Sequence, residues 1–384
     1  MLAALTLMIA AVQVPVARAQ NPLNGRGMWI WYVSRANGGN VASIAARARR
    51  YGVGTLMIKG GDGSGVWSQF SPALISALHA YGLRVCAWQY VYGNKPVSEA
   101  HVGAADVKNG ADCLVIDAES EYEGKYVAAQ RYITTLRKLI GNHFPVGLAG
   151  LPYVSYHPGF PYSVFLGPGG AQFNLPQMYW FDIGTSVDRV YAVTYVFNRI
   201  YQRPIFPLGE VTGPPPSRDV VRFRQLAIAY GADGVSWWDW QDASNTMWRA
   251  IAQPVGSPAN FTPVRGMAIL GLHAVGDLVV WAQEHLVSAG YQIKIDGAFG
   301  PNTLQAVRNF QVANGLTADG RIGSFTWQAL LRYRPAAVHW TLARQAATAS
   351  ASVLSLPEPK NARLRGRSEF RRHPRGAYVP ASRG

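Results

Sequence analysis

Residues 112–124 read DCLVIDAESEYEG: an apolar run, Cys113–Ile116, that gives way to four carboxylates, Asp117, Glu119, Glu121 and Glu123, in a chain of formal net charge +15. An apolar run of that length bounded by polar residues suits a buried β-strand and is too short for a core helix. It is one of eight. Similar runs begin near Gly27, Thr55, Leu83, Asp112, Pro145, Phe173, Pro204 and Asp233, at steps of 28 to 33 residues, which fit a strand, a loop and a crossover helix. Ser71-Pro72 and Ser217 supply helix starts, and Tyr51-Gly52, Tyr81-Gly82 and Tyr230-Gly231 supply matching glycine stops. Eight alternating units predict an α/β chain with a closed (β/α)8 TIM barrel over residues 25–252. An open doubly wound sheet is the alternative. GGDGSG at 60–65 lacks that fold's phosphate-binding fingerprint spacing and reads as a loop.

Barrel sites form at the carboxyl ends of strands. Those ends carry Trp31 and Tyr32; Lys59 and Asp62; Trp88, Tyr90 and Tyr92; Asp117 and Glu119; Tyr153 and Tyr156; Gln177, Tyr179, Trp180 and Asp182; Glu210; and Trp237, Trp238, Asp239 and Trp240. Flat rings stack on sugar faces while carboxylates and amides bind hydroxyls, so the mixture suits a carbohydrate cleft; the alternative is that the rings fill the barrel. Strand alternation puts Asp117 and Glu119 on one face with Cys113 and Val115, hence above the packed interior. Two such close carboxylates resist joint ionisation, which raises one pKa and suits Glu119 to protonate a leaving group beside an ionised Asp117. Glu121 and Glu123 are expected in solvent. A structural role, with the pair bonded to Lys59 or a loop, is the alternative.

The apolar fraction of 49% and charged fraction of 15% describe a globular chain with a sizeable core. Residues 1–19, apolar and ending Ala17-Arg18-Ala19, read as an export signal. Cys86 and Cys113 are too few for a disulfide-stapled scaffold or a cysteine zinc site, and are expected as buried thiols because a bridge between consecutive strands would be strained. No metal or cofactor is expected. Residues 333–384 read as a disordered basic tail. From Arg332 onward eleven Lys/Arg face only Glu358 and Glu369, which suits anionic wall polymers or lipid headgroups rather than nucleic acid.

Asp112-Cys113-Leu114-Val115-Ile116-Asp117-Ala118-Glu119 resembles the D-x-x-D-x-D-x-E strand of the chitinase-like barrels of glycoside hydrolase family 18, with Val115 in place of the middle aspartate. Gln177-Met178-Tyr179-Trp180 resembles their sixth-strand region, and Trp237 or Trp238 their eighth-strand tryptophan. The D-x-E pair is also similar to that of the family 25 muramidases, although GMWIWYVSRA lacks their first-strand aspartate. The family 18 resemblance implies Glu119 as general acid, Asp117 orienting a substrate N-acetyl group that attacks the anomeric carbon, and Tyr179 bonding that group. Otherwise Glu210 or Asp239 would act as base or nucleophile. Tyr32, Lys59, Trp88, Tyr90, Gln177, Trp180, Trp237 and Trp238 complete the expected sugar site.

Pro254, Gly256, Pro258, Pro263 and Gly266 mark a linker over 253–271. Beyond it Asp296-Gly297-x-x-Gly300-x-x-Thr303 recurs as Asp319-Gly320-x-x-Gly323-x-x-Thr326, which predicts helices at 277–289, 302–314 and 324–333 joined by Asp-Gly turns. Residues 272–332 closely resemble the bacterial peptidoglycan-binding domain of type 1 through their DGxFGPxT, AVxxFQ, GLxxDG and GxxTW phrases. The resemblance implies a wall-binding module carried by Asp296, Phe299, Thr303, Phe310, Gln311, Asp319 and Trp327. The chain is therefore expected to be a secreted or wall-associated monomer that binds peptidoglycan and hydrolyses an N-acetylhexosamine glycan. The rival expectation is a non-catalytic wall binder, which Val115 and the missing first-strand acid favour.

Overall fold

The computed structural model describes residues 21–213 and 215–341. The expected export signal and the basic run beyond 341 lie outside those residues. Eight strands run parallel: β1 (Gly25–Ile30), β2 (Thr55–Asp62), β3 (Arg84–Val91), β4 (Cys113–Ala118), β5 (Val146–Ala149), β6 (Phe173–Asn174), β7 (Leu208–Glu210) and β8 (Gly234–Trp238). Each consecutive pair from β1 to β6 is hydrogen-bonded, β7 pairs with β8, and β8 returns to β1. The remaining gap closes through single bridges at Asn174–Ile205 and Gln177–Leu208. The ring is weakest there because Pro204 and Pro207 donate no N–H to a ladder.

Helices α1 (Val41–Arg50), α2 (Pro72–Ala80), α3 (Pro96–Lys108), α4 (Tyr126–Ile140), α7 (Val187–Asn198), α8 (Ser217–Ala229) and α9 (Asn245–Ala252) cover the ring, with one-turn α5 (Tyr162–Phe165) and α6 (Trp180–Ile183) between. Ser71 accepts from Leu74 N–H as the expected cap, whereas α8 begins after Pro216 with Ser217 already inside it. Gly52, Gly82 and Gly231 take the left-handed stop, each with φ between 67° and 77°. The expected loop at 60–65 is instead strand: β2 runs on to Asp62, and Gly65–Val66 folds back against it.

Two apolar layers result. Trp29, Met57, Trp88, Val115, Leu175 and Leu208 fill the ring, and a larger layer lies between sheet and helices. Cys86 and Cys113 are register partners on β3 and β4 and form a disulfide, contrary to the expected thiols. The correction has a simple cause. Side by side in the parallel ladder with Cα atoms 4.5 Å apart, both point into the ring and fall within bridging reach.

The second unit comprises α10 (Asp277–Ser288), α11 (Pro301–Ala313) and α12 (Ser324–Leu330). It is not loosely tethered. Every residue of α10 from Asp277 to Leu286 is buried, because one face meets its own module and the other covers the barrel flank beside short α5. The buried Asp277 carboxylate accepts from Ser163 N–H (2.9 Å), Ser163 Oγ (2.7 Å) and Tyr201 Oη (2.7 Å). Trp281 Nε1 donates to the Ile200 carbonyl at 3.0 Å. Gly276, at φ 106°, lies so close to the Pro158 backbone that a Cβ would collide. The expected linker and tail both shorten: Leu270 pairs with Ile322, and residues 333–341 strap across α4, where Gln130 bonds Val338 O and Trp340 N–H.

Candidate active site

Asp117 at the end of β4 and Glu119 just beyond it project together. One amide fixes them: Gln177 Nε2 donates to Asp117 Oδ1 and to Glu119 Oε1, both at 3.0 Å, so these oxygens lie within about 6 Å of each other. Asp117 is buried and Glu119 half-buried. Burial pushes Glu119 up to about 7, against the Gln177 hydrogen bond that favours its charged form. Asp117 is also raised well above the usual carboxylate range, by burial first and by Glu119 next, while Lys59 opposes the rise. The pair therefore retains a proton near neutral pH, and its titration belongs to both groups.

The charges of Asp117, Glu119, Glu210 and Asp239 all bear on the buried Tyr179 hydroxyl and, after burial itself, raise it. Glu210 and Asp239 are nevertheless committed elsewhere. Glu210 accepts from Phe181 N–H and Asp182 N–H, which ties down the start of α6, and burial pushes it up to about 8. Asp239 accepts from Gln241 Nε2 (2.7 Å) and Asp242 N–H (3.3 Å), with burial raising it to about 7.

Lys59 is 1% exposed, and its ammonium stands 4.5, 4.5 and 4.8 Å from the ring centres of Trp31, Trp67 and Trp88. Its counter-ion is Asp62 at 2.7 Å, which also accepts from Tyr92 Oη. A cation held in an aromatic cage and paired once is stable in a dry site. Trp67 was not among the expected residues, although its place in the Asp62 loop was the available cue. Tyr90 Oη donates to Glu121, and Glu123 accepts from Gly159 N–H and pairs with His157. Glu121 is exposed as expected, but Glu123 is half-buried and tethered rather than solvated.

The rings divide by strand face. Trp238 packs inward against Trp29, Trp31 and Trp88, and Tyr32 stacks on Trp31 at the rim. Trp180 and Trp237 do not reach the mouth: both are fully buried against Phe223 of α8, behind the sheet. Trp88 is also enclosed, with its Nε1 on the Ile30 carbonyl. Asp112 lies at the opposite end of β4, bonded to Val85 N–H and His79. Among the described residues no group of three His, Cys, Asp or Glu side chains is placed to hold a metal ion.

In the small module Phe299, Thr303, Phe310, Gln311 and Trp327 are buried and form its frame, while Asp296 and Asp319 fix the turns. The repeat has a mechanical cause. Gln283 and Gln311, both buried, each accept from the glycine N–H of an Asp-Gly turn and donate to the aspartate and to the following threonine.

Residues 275–330 match the family model of the peptidoglycan binding domain. An uncharacterized protein of Kitasatospora aureofaciens is 53% identical over 36 residues, which span 9% of this chain and 30% of that protein. A peptidoglycan-binding protein of Clostridioides difficile, solved with glutamine hydroxamate, is 42% identical over 16% of this chain and 39% of its own, at a TM-score of 0.16. A chitinase from Chromobacterium violaceum aligns with 60% of this chain and 100% of its own at 12% identity and a TM-score of 0.42. The molecule is thus an α/β barrel fused to a helical module. That module carries the peptidoglycan-binding fold.

Proposed function

We propose that this protein is exported, binds peptidoglycan through residues 275–330, and cleaves glycosidic bonds of an N-acetylhexosamine glycan at the barrel mouth. The observation that carries the reading is the Asp117–Glu119 pair held by one Gln177 amide, with Glu119 at about 7. Protonated Glu119 donates its proton to the glycosidic oxygen as the bond to the anomeric carbon breaks. Asp117, whose charged form the Lys59 charge favours against burial, orients the substrate N-acetyl group, whose carbonyl oxygen attacks the anomeric carbon; Tyr179 bonds that group. Glu210 and Asp239 already serve backbone and side-chain donors, which favours the substrate's own nucleophile over a carboxylate from across the ring.

The test is reducing-end release from purified sacculi and from chitooligosaccharides by the intact chain and by Glu119→Gln. Loss of at least about a hundredfold in the variant supports hydrolysis, since general acid catalysis contributes about a hundred- to ten-thousandfold. Equal background from both assigns the barrel to glycan binding without cleavage.

A further inference from the structure

At the end of the barrel opposite the carboxylate pair, the docking of α10 creates a cleft of about 500 Å³ that neither unit has alone. The barrel supplies the loop around Leu166–Gly169 together with Tyr201, Gln202 and Arg203; the module supplies Trp281; the chain just after α12 supplies Leu331–Pro335. Arg203, Arg332 and Arg334 line it, and no carboxylate does. A second cleft of about 320 Å³ adjoins it, shares Arg203 and adds Arg199 and Arg265, again without an acid.

These charges are uncompensated. Arg203 donates to the carbonyls of Leu166 (2.6 Å) and Gly167 (2.7 Å), and Arg199 to those of Tyr195 and Val264. Behind the same loop Arg137 holds the carbonyls of Gly169 and Gly170, and its pKa falls to about 10 through burial and then the Arg203 charge. Among the described residues the arginine ion pairs are Arg218–Asp219 and Arg222–Asp188, so none of these arginines is neutralised by an acid. The acids of α10, Asp277 and Glu284, are buried and line neither cleft.

We propose that the paired clefts bind a linear phosphodiester polymer of the cell wall, a polyol-phosphate chain. Five arginines line two clefts that share Arg203, which suits repeated anions; Arg265, Arg332 and Arg334 offer the guanidinium fork that fits phosphate oxygens, while Arg199 and Arg203, whose forks hold backbone carbonyls, add charge. A lone carboxylate would engage one fork and leave the others idle. The proposal takes only the wall setting from the module and is independent of glycan cleavage.

The test uses the full chain and a synthetic glycerol-phosphate oligomer, with calorimetric binding near 0.15 M salt. Arg332→Ala with Arg334→Ala removes two exposed charges from the first cleft. Arg49→Ala with Arg50→Ala on exposed α1 removes the same charge elsewhere. The seam pair is expected to weaken binding about tenfold or more, and the α1 pair by less than about twofold. Equal losses in both pairs, or no loss in the seam pair, overturn the site. A poly-γ-glutamate oligomer of equal charge is the second arm. Weaker binding than the phosphate oligomer supports the assignment; equal or tighter binding overturns it.

Discussion

Replacing Gln311 with Leu removes the polar end of one buried side chain while keeping most of its volume. Gln311 Oε1 accepts from Gly320 N–H at 2.9 Å, and Nε2 contacts Asp319 Oδ1, the Arg321 carbonyl and Thr326 Oγ1 at 2.9, 2.8 and 3.1 Å. Asp319 and the Arg321 carbonyl can turn to water. The Thr326 hydroxyl keeps its bond to the Arg321 carbonyl, but the Gly320 N–H is enclosed and left without an acceptor, which costs about 1–3 kcal/mol. The module should therefore lose about 2 kcal/mol. Native-state hydrogen exchange reads this directly, because amide protection in α11 and α12 reports the local opening free energy. Such a loss accelerates exchange of those amides by roughly 30-fold. Gln305→Ala, whose side chain reaches only Asn309 on the exposed face, should change exchange by less than about threefold. Indistinguishable rates in the two variants would show that the glutamine clamp does not hold the repeated turns together.

Cys86→Ala with Cys113→Ala opens a loop spanning 27 residues and should cost about 3.5 kcal/mol on the chain-entropy account, measured by urea unfolding. Trp180→Ala should destabilise the barrel by about 3–5 kcal/mol, since that ring is sealed behind the sheet. Tyr156→Ala, 62% exposed at the rim, should leave unfolding within about 0.5 kcal/mol and weaken chitooligosaccharide binding. Glycan cleavage should hold below pH about 7 and fall as pH rises through it, because Glu119 must carry its proton. Removing the amide that favours the charged forms, by Gln177→Leu, should move that alkaline limb upward in a pH–rate profile. The linked stability has the same sign. A carboxyl raised on folding contributes most below its unfolded value of about 4.5, and that contribution is lost as pH rises to about 7.

Much of the barrel was legible because its signals are local. Strand starts at Thr55, Leu83, Asp112, Pro145, Phe173 and Asp233 lie within a residue of those observed, since each follows a glycine stop or precedes an apolar run. The seventh start drifted from Pro204 to Leu208, where prolines leave only isolated bridges. The shared face of Asp117 and Glu119 followed from alternation. The same rule should have separated Trp237 from Trp238, adjacent residues that face opposite layers. What stayed hidden depends on register between distant segments: the Cys86–Cys113 pairing, the Gln177 bridge, and α10 covering the flank beside one-turn α5. The glutamine clamps escaped for a related reason. Gln283 precedes its turn aspartate by 13 positions and Gln311 by 8, so they fall outside the 23-residue repeat.

The pair at the barrel mouth is tested most directly by a carboxyl-carbon NMR titration of the intact protein beside Glu119→Gln. The Glu119 resonance should titrate near pH 7 in the intact chain and be missing from the variant, while the raised resonances of Glu210 and Asp239 persist in both. A Glu119 carboxyl that titrates at its ordinary value would contradict a shared proton and with it the acid role of Glu119.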